Sequence, residues 1–184
     1  MRNLLSYNEL TKLLRDGVIV GSDPEYVNGA SIDVRLGDKL LMESPYKENI
    51  KYPISLRDRE PVPMYEHTMN YDEGFVLYPG QLVLAHTIER FNLPNNLAAN
   101  FQLKSSVARV GITNLLAGWC DPGWHGSTLT LELVNCTQYT TIRIRPGDRI
   151  GQMIFMRCAM VPAARAYGAR GRYNNDLSVE SIKP

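Results

Sequence analysis

Cysteine and histidine are both scarce in this 184-residue chain, with three of each. Cys120, Cys136 and Cys158 are odd in number, widely spaced and free of any C-x-x-C pairing, which excludes a disulfide framework and fits reduced thiols in a reducing compartment. His67, His86 and His125 lie far apart, and the H-x-E with P-C-x-x-C signature of zinc-activated nucleobase deaminases does not occur, so no catalytic zinc is expected. An excess of charge is also lacking: 20 Lys+Arg stand against 19 Asp+Glu, a net of +1. That excludes a broad basic grip on duplex nucleic acid, which needs on the order of 6 or more phosphate contacts, but leaves room for a small anionic ligand. No apolar run approaches roughly 18 residues, so no membrane span is expected. The first 17 residues mix charge among their leucines without a small-residue cleavage site, so neither a signal peptide nor an anchor is expected there, and a cytoplasmic protein is expected. The G-x-x-x-x-G-K-[ST] phosphate loop, the G-x-G-x-x-G dinucleotide turn and the H-E-x-x-H metal helix are all missing.

What is present describes one domain. A chain this long buries roughly 70% of its unfolded surface and needs no staple. Ser6-Tyr7-Asn8-Glu9 reads as a capping box, Leu10, Leu13 and Leu14 share one helical face, and Gly17 is a natural stop. From there the period changes to two. Ser31 to Leu36, Thr128 to Leu131 and Thr141 to Arg145 alternate polar and apolar, as half-buried strands do. Pro and Gly mark bends at Tyr78-Pro79-Gly80, Leu93-Pro94-Asn95, Asp121-Pro122-Gly123 and Arg145-Pro146-Gly147-Asp148. The pattern predicts a mainly β domain, a sandwich or barrel-like clip, with a short N-terminal helix. Met42 to Tyr71, rich in Pro, Tyr and charge, reads as an irregular surface excursion. Residues 1–166 read as the β-rich core, and Tyr167 to Pro184 as a polar tail, either a frayed end or a flexible lid that orders on a ligand.

Chemistry concentrates between Lys104 and Asn135. Lys104-Ser105-Ser106-Val107-Ala108-Arg109 gathers an amine, two hydroxyls and a guanidinium in six positions, suited to an anion, although a merely polar helical turn reads the same way. Asp121 suits a turn and Trp124 a core. Glu132 interrupts Leu129, Leu131, Leu133 and Val134 in a strand that otherwise looks buried, where an ionised carboxylate is costly without a partner or a task.

Five ordered stretches together resemble the motifs of the dCTP deaminases of the dUTPase-like superfamily. They are Asn28 to Gly37, Ser105 to Gly111, Asp121-Pro122-Gly123-Trp124-His125-Gly126, Leu131-Glu132-Leu133-Val134-Asn135 and Arg145-Pro146-Gly147-Asp148-Arg149-Ile150-Gly151-Gln152. The resemblance implies a dUTPase-like β-clip or distorted barrel, a homotrimer with sites at subunit interfaces, and hydrolysis of dCTP to dUTP and ammonia without a catalytic metal. Mg²⁺ would travel with the triphosphate. It casts Glu132 as the base that activates water and then protonates the leaving amine, Arg109 as its cationic neighbour that keeps it ionised, and Ser105 as the group holding the water or the substituent at C4. Asp121 would meet the deoxyribose 3′-hydroxyl and Trp124 would crowd a 2′-hydroxyl. Lys104, Ser106, Thr130 and Gln152 are assigned to substrate, and Tyr167 with Arg172-Tyr173 to a lid over the phosphates. dTTP is implied as an inhibitor.

Departures from the pattern shape further expectations. Gly126 to Glu132 is one residue longer than usual and Arg109 to Asp121 one shorter, which a β-bulge would reconcile; without one Glu132 points to the wrong face. Ala117-Gly118-Trp119 and Gln152 resemble bifunctional members that release dUMP and pyrophosphate. Asn174-Asn175-Asp176 stands where the lid usually has glutamine, leaving triphosphate, monophosphate and modified-cytosine substrates open. A dUTP diphosphatase without deaminase activity and a silent nucleotide-binding protein are the alternatives.

Overall fold

The computed structural model describes residues 3–45 and 53–183. Helix α1 (Tyr7–Arg15) starts as the capping box requires, with the Ser6 amide donating to the Glu9 carboxylate at 3.3 Å, and it buries Leu10 and Leu13. Gly17, at φ +72°, turns the chain out of it.

Among the described residues twelve strands follow: β1 (Ile19–Val20), β2 (Ile32–Arg35), β3 (Lys39–Glu43), β4 (Met64–Thr68), β5 (Phe75–Leu77), β6 (Leu82–Asn92), β7 (Leu97–Leu103), β8 (Ile112–Thr113), β9 (Trp119–Cys120), β10 (His125–Asn135), β11 (Ile142–Ile144) and β12 (Arg149–Arg157). One sheet runs β4-β3-β6-β10-β8 with β1 added to β6, a second runs β2-β12-β7-β9, and β5 pairs with β11, so the mainly β expectation holds. A short helix α2 (Ser105–Arg109) lies between β7 and β8, and another, α3 (Tyr167–Arg170), follows β12. A continuous apolar core contains Leu5, Ile32, Phe91, Leu131, Leu133 and Phe155, all essentially inaccessible to water. Among the described residues no helix is long and apolar enough to cross a membrane.

The expected excursion from Met42 to Tyr71 requires correction at both ends. Strand β3 continues to Glu43, and β4 pairs with it from Lys39↔Thr68 to Glu43↔Met64. The middle of that stretch, residues 46–52, lies outside the described residues. Strand β4 is an edge with mostly half-buried or exposed side chains, so its backbone pairing rather than apolar alternation defines it.

Strand β10 positions the chemistry. Leu129, Leu131 and Leu133 face the core while Thr130, Glu132 and Val134 face the other way, as period two demands. The expected bulge is present. His125 opposes Asn92 and Ser127 opposes Phe91, so two residues of β10 match one of β6, and the extra residue is Gly126 at φ +70°. A side chain there would be strained and would strike Asn175. A second irregularity follows, where Thr128 opposes Arg90 but Thr130 opposes His86; the surplus now lies on β6, and the orphaned Leu129 amide donates to the Thr87 hydroxyl at 2.9 Å. Beyond it the register is regular, with Glu132 opposite Leu84.

Candidate active site

Six of the expected residues line one cavity of about 370 Å³: Asp121, Trp124, Thr130, Glu132, Tyr167 and Tyr173. Glu132 is half-buried there, and no ion pair or side-chain hydrogen bond engages its carboxylate among the described residues. Removal from water raises its carboxyl pKa from 4.5 to about 7, a rise reduced in part by its own backbone amide. Such a group changes charge near neutrality, which suits a proton shuttle.

The cavity wall is built from two turns and a tail. In the turn after β9, the Trp124 amide donates to the Asp121 carbonyl at 3.2 Å, and the Trp119 indole N–H donates to the Asp121 carboxylate at 2.9 Å. Trp124 is itself largely buried, stacks on Phe91 with centroids 5.5 Å apart, and donates its indole N–H to the Tyr173 carbonyl at 2.6 Å. It therefore joins the core to the tail as well as lining the cavity. Cys120 sits behind this wall with its thiol pushed up to about 12 by burial and by the neighbouring Asp121 charge, so it is an inert thiol.

The tail from Tyr167 onward lies along β10. The Thr128 amide donates to the Asp176 carbonyl, the Ser127 hydroxyl to the Tyr173 carbonyl, and the Glu180 amide to the Thr130 hydroxyl, while Val179 is buried. Asp176, the departure at the lid, forms an ion pair with Lys183 at 2.5 Å. Lys183 also sits over the Tyr173 ring at 5.4 Å. Thr130 and Tyr173 were expected at the site and Asp176 was noted at the lid, whereas Ser127, Val179, Glu180 and Lys183 were not singled out in the sequence.

Lys104, Ser105, Ser106, Arg109 and Gln152 do not line that cavity. They belong to a second cluster, on α2 and the β2-β12-β7 sheet. The Lys104 amine pairs with the Asp33 carboxylate at 2.6 Å, Arg149 approaches the same carboxylate at 3.5 Å, and the Asn28 side-chain amide donates to it at 2.9 Å. Ser31 donates to the Gln152 side-chain carbonyl at 3.0 Å. Ser105, Ser106 and Arg109 stand exposed on α2. Within one chain Arg109 forms no ion pair with Glu132, which leaves burial as the dominant influence on that carboxyl. Asp33, Asn28 and Arg149 went unassigned in the sequence. The available signal was the one that singled out Glu132, an acidic residue inside an alternating apolar strand.

The chain is similar to known proteins over most of its length. A profile of the family described as dCTP deaminase-like matches residues 4–158. A protein named dCTP deaminase, dUMP-forming, from Thermobifida fusca (strain YX) is 39% identical over 170 residues, covering 90% of this chain and 83% of that protein. One of the same name from Methanospirillum hungatei JF-1 is 41% identical over 134 residues, covering 72% and 69%. Among solved structures, a 2′-deoxycytidine 5′-triphosphate deaminase from Agrobacterium tumefaciens matches with a TM-score of 0.63 at 24% identity, over 84% of this chain but 48% of that one, a likeness of fold.

Proposed function

The chain belongs to the dCTP deaminase-like family, and on that premise we propose that it deaminates dCTP and also cleaves the triphosphate, yielding dUMP, pyrophosphate and ammonia. The single observation that carries the reading is Glu132, a carboxylate with no ion pair among the described residues of its own chain and a pKa raised by burial there, in a cavity sized for a nucleoside and lined by Asp121, Trp124 and Tyr167. Ionised Glu132 takes a proton from water, the hydroxide adds to C4 of cytosine, and the proton passes to N4 so that ammonia departs and the C4 carbonyl of uracil forms. Water then attacks the α-phosphorus and pyrophosphate leaves. The sequence alone placed dUTP ahead of dUMP as product. The names of the relatives from Thermobifida and Methanospirillum favour dUMP instead.

The site becomes complete in a homotrimer. In that assembly the α2 cluster of one subunit meets the Glu132 cavity of its neighbour, bringing Ser105 to the water and Arg109 to the carboxylate. Three observations support this. The two clusters share no lining residue within a chain, α2 has no buried residue, and the loop beside the cavity exposes Leu115 by 54% and Leu116 by 88%. Those two leucines also hold left-handed backbone, at φ 50° and 61°, at a cost of about 1–3 kcal/mol each that packing against a neighbour would offset. Mg²⁺ belongs to the substrate's phosphates. Among the described residues no three His, Cys, Asp or Glu side chains gather to hold a metal, and no protein group is assigned to it.

The direct test is a product assay with dCTP and Mg²⁺, with and without EDTA. Ammonia, dUMP and pyrophosphate in equal amounts are expected. Accumulating dUTP would remove the second cleavage, and unchanged dCTP would remove the reading.

Burial also has a cost in stability that pH reveals. With Arg109 removed, a folded-state pKa of about 7 against 4.5 unfolded makes the folded chain the tighter proton binder between those values. Stability attributable to Glu132 is then fully present below about 4.5, falls as pH rises to about 7, and stays lost above. Arg109→Ala/Glu132→Gln is therefore expected to melt above Arg109→Ala at pH 8, by about 1 kcal/mol or roughly 2–4 °C for a chain of this size, after allowing for water reaching the half-buried side chain. The gap closes near pH 4.5. Equal melting at pH 8 would show that burial does not penalise the carboxylate.

A further inference from the structure

We infer that Arg165 and Arg170, which the sequence did not single out, hold the distal phosphates of the nucleotide and give the site its preference for a triphosphate; the inference rests on the nucleotide reading above. A second cavity of about 440 Å³ adjoins the first, and Asp121, Tyr167 and Tyr173 line both. Their charges are segregated. Among the described residues the first is lined by Asp121, Glu132, Asp176 and Glu180 and by no Lys or Arg. The second is lined by Arg165, Arg170 and Arg172, with Asp121 as its one acidic residue among those described. Lys183 engages Asp176 at 2.5 Å and Glu180 at 3.9 Å, and the neighbour's Arg109 is taken up by Glu132, so among the described residues the first cavity offers no free cation to a polyphosphate and suits the neutral nucleoside with its N4 amine, whereas the second offers a set of arginines. The phosphate end therefore leaves the first cavity past the two tyrosines and enters the second.

The backbone fixes these arginines at that exit. The Tyr167 amide donates to the Pro122 carbonyl at 2.9 Å, and the Arg165 amide closes the 3₁₀ turn at residues 163–165 by donating to the Pro162 carbonyl at 2.8 Å. The Gly171 amide donates to the Tyr167 carbonyl at 2.6 Å, and at Gly171 a Cβ would lie 2.1 Å from the Tyr167 ring, so the ring packs against bare backbone and Arg170 is set beside it. Neither Arg165 nor Arg170 forms an ion pair with the protein among the described residues, which leaves two planar donor forks for phosphate oxygens. Arg172 was already expected in this role; the other two extend the cradle beyond the reach of a monophosphate.

The test uses the full-length Arg165→Ala/Arg170→Ala protein beside wild type, with dCTP, dCMP and deoxycytidine as substrates. The ratio of kcat/KM for dCTP to that for deoxycytidine is expected to fall about 100-fold, mainly through KM for dCTP, since each of the two charge-assisted contacts accounts for about tenfold. Arg165→Lys/Arg170→Lys should recover much of it. An unchanged ratio overturns the proposal. Inorganic tripolyphosphate, followed by calorimetry, should bind wild type, compete with dCTP and lose affinity in the double alanine variant. Binding without competition would mean that the cavity takes a free polyphosphate rather than the substrate, which also overturns it. If wild type turns over none of the three substrates the functional reading fails, and the calorimetry still decides whether the arginines form a polyphosphate site.

Discussion

Glu132→Gln is expected to lower deamination of dCTP by about 10³-fold or more while leaving dCTP binding within a few fold of wild type. The magnitude combines two losses. A positioned proton shuttle contributes about 10²–10⁴-fold, and the amide can neither deprotonate water nor return a proton to the departing amine. Binding survives because glutamine has the same shape and the cavity wall of Asp121, Trp124, Thr130 and Tyr167 is untouched. Single-turnover ammonia release together with calorimetry using dCTP separates the two quantities. Near-normal ammonia release would remove Glu132 from the chemistry, whereas lost binding would make it a structural residue of the cavity.

Arg109→Ala is expected to cost about 10²–10³-fold in kcat/KM for dCTP, the usual effect of removing one preorganised group that stabilises charge in the reacting state. Its signature is the acid limb of the pH profile. A general base works only when ionised, so activity rises with pH through its pKa. In the assembled site the neighbour's guanidinium favours the carboxylate and keeps that limb below neutrality. Without it, burial acts alone and the limb should move up toward pH 7. A loss of rate with an unmoved limb would show that Arg109 touches substrate but not Glu132.

Particular residues show how much of this was legible. Glu132 could be found because strand period is rigid: a carboxylate among Leu129, Leu131 and Leu133 has to face away from the core, and it does. The extra residue between Gly126 and Glu132 also left a trace, since a bulge favours a glycine able to take positive φ. Strand β4 left none, because Met64-Tyr65-Glu66-His67-Thr68 is an edge held by backbone bonds to β3. The tail was hidden for a related reason. Its polar composition reads as solvated, yet its backbone is tied down by Ser127, Thr128 and Thr130, partners more than 40 residues upstream that no local pattern reveals. Asp33 was overlooked although it carried the same signal as Glu132, and the Lys104 and Arg149 contacts that explain its burial arise only when β2, β7 and β12 come together.

The central claim is that catalysis joins Glu132 of one subunit to Arg109 of the next, and complementation tests it most directly. Glu132→Gln and Arg109→Ala proteins, each nearly inactive, are unfolded, mixed in equal amounts and refolded together. If each site draws one half from each of two neighbouring subunits, random mixing rebuilds about one quarter of the sites with both groups intact, and dCTP deaminase activity should return to roughly that fraction of wild type. Activity that stays at the level of the separate variants, in a preparation that has refolded and exchanged subunits, would place both groups in the same chain's site and contradict the account.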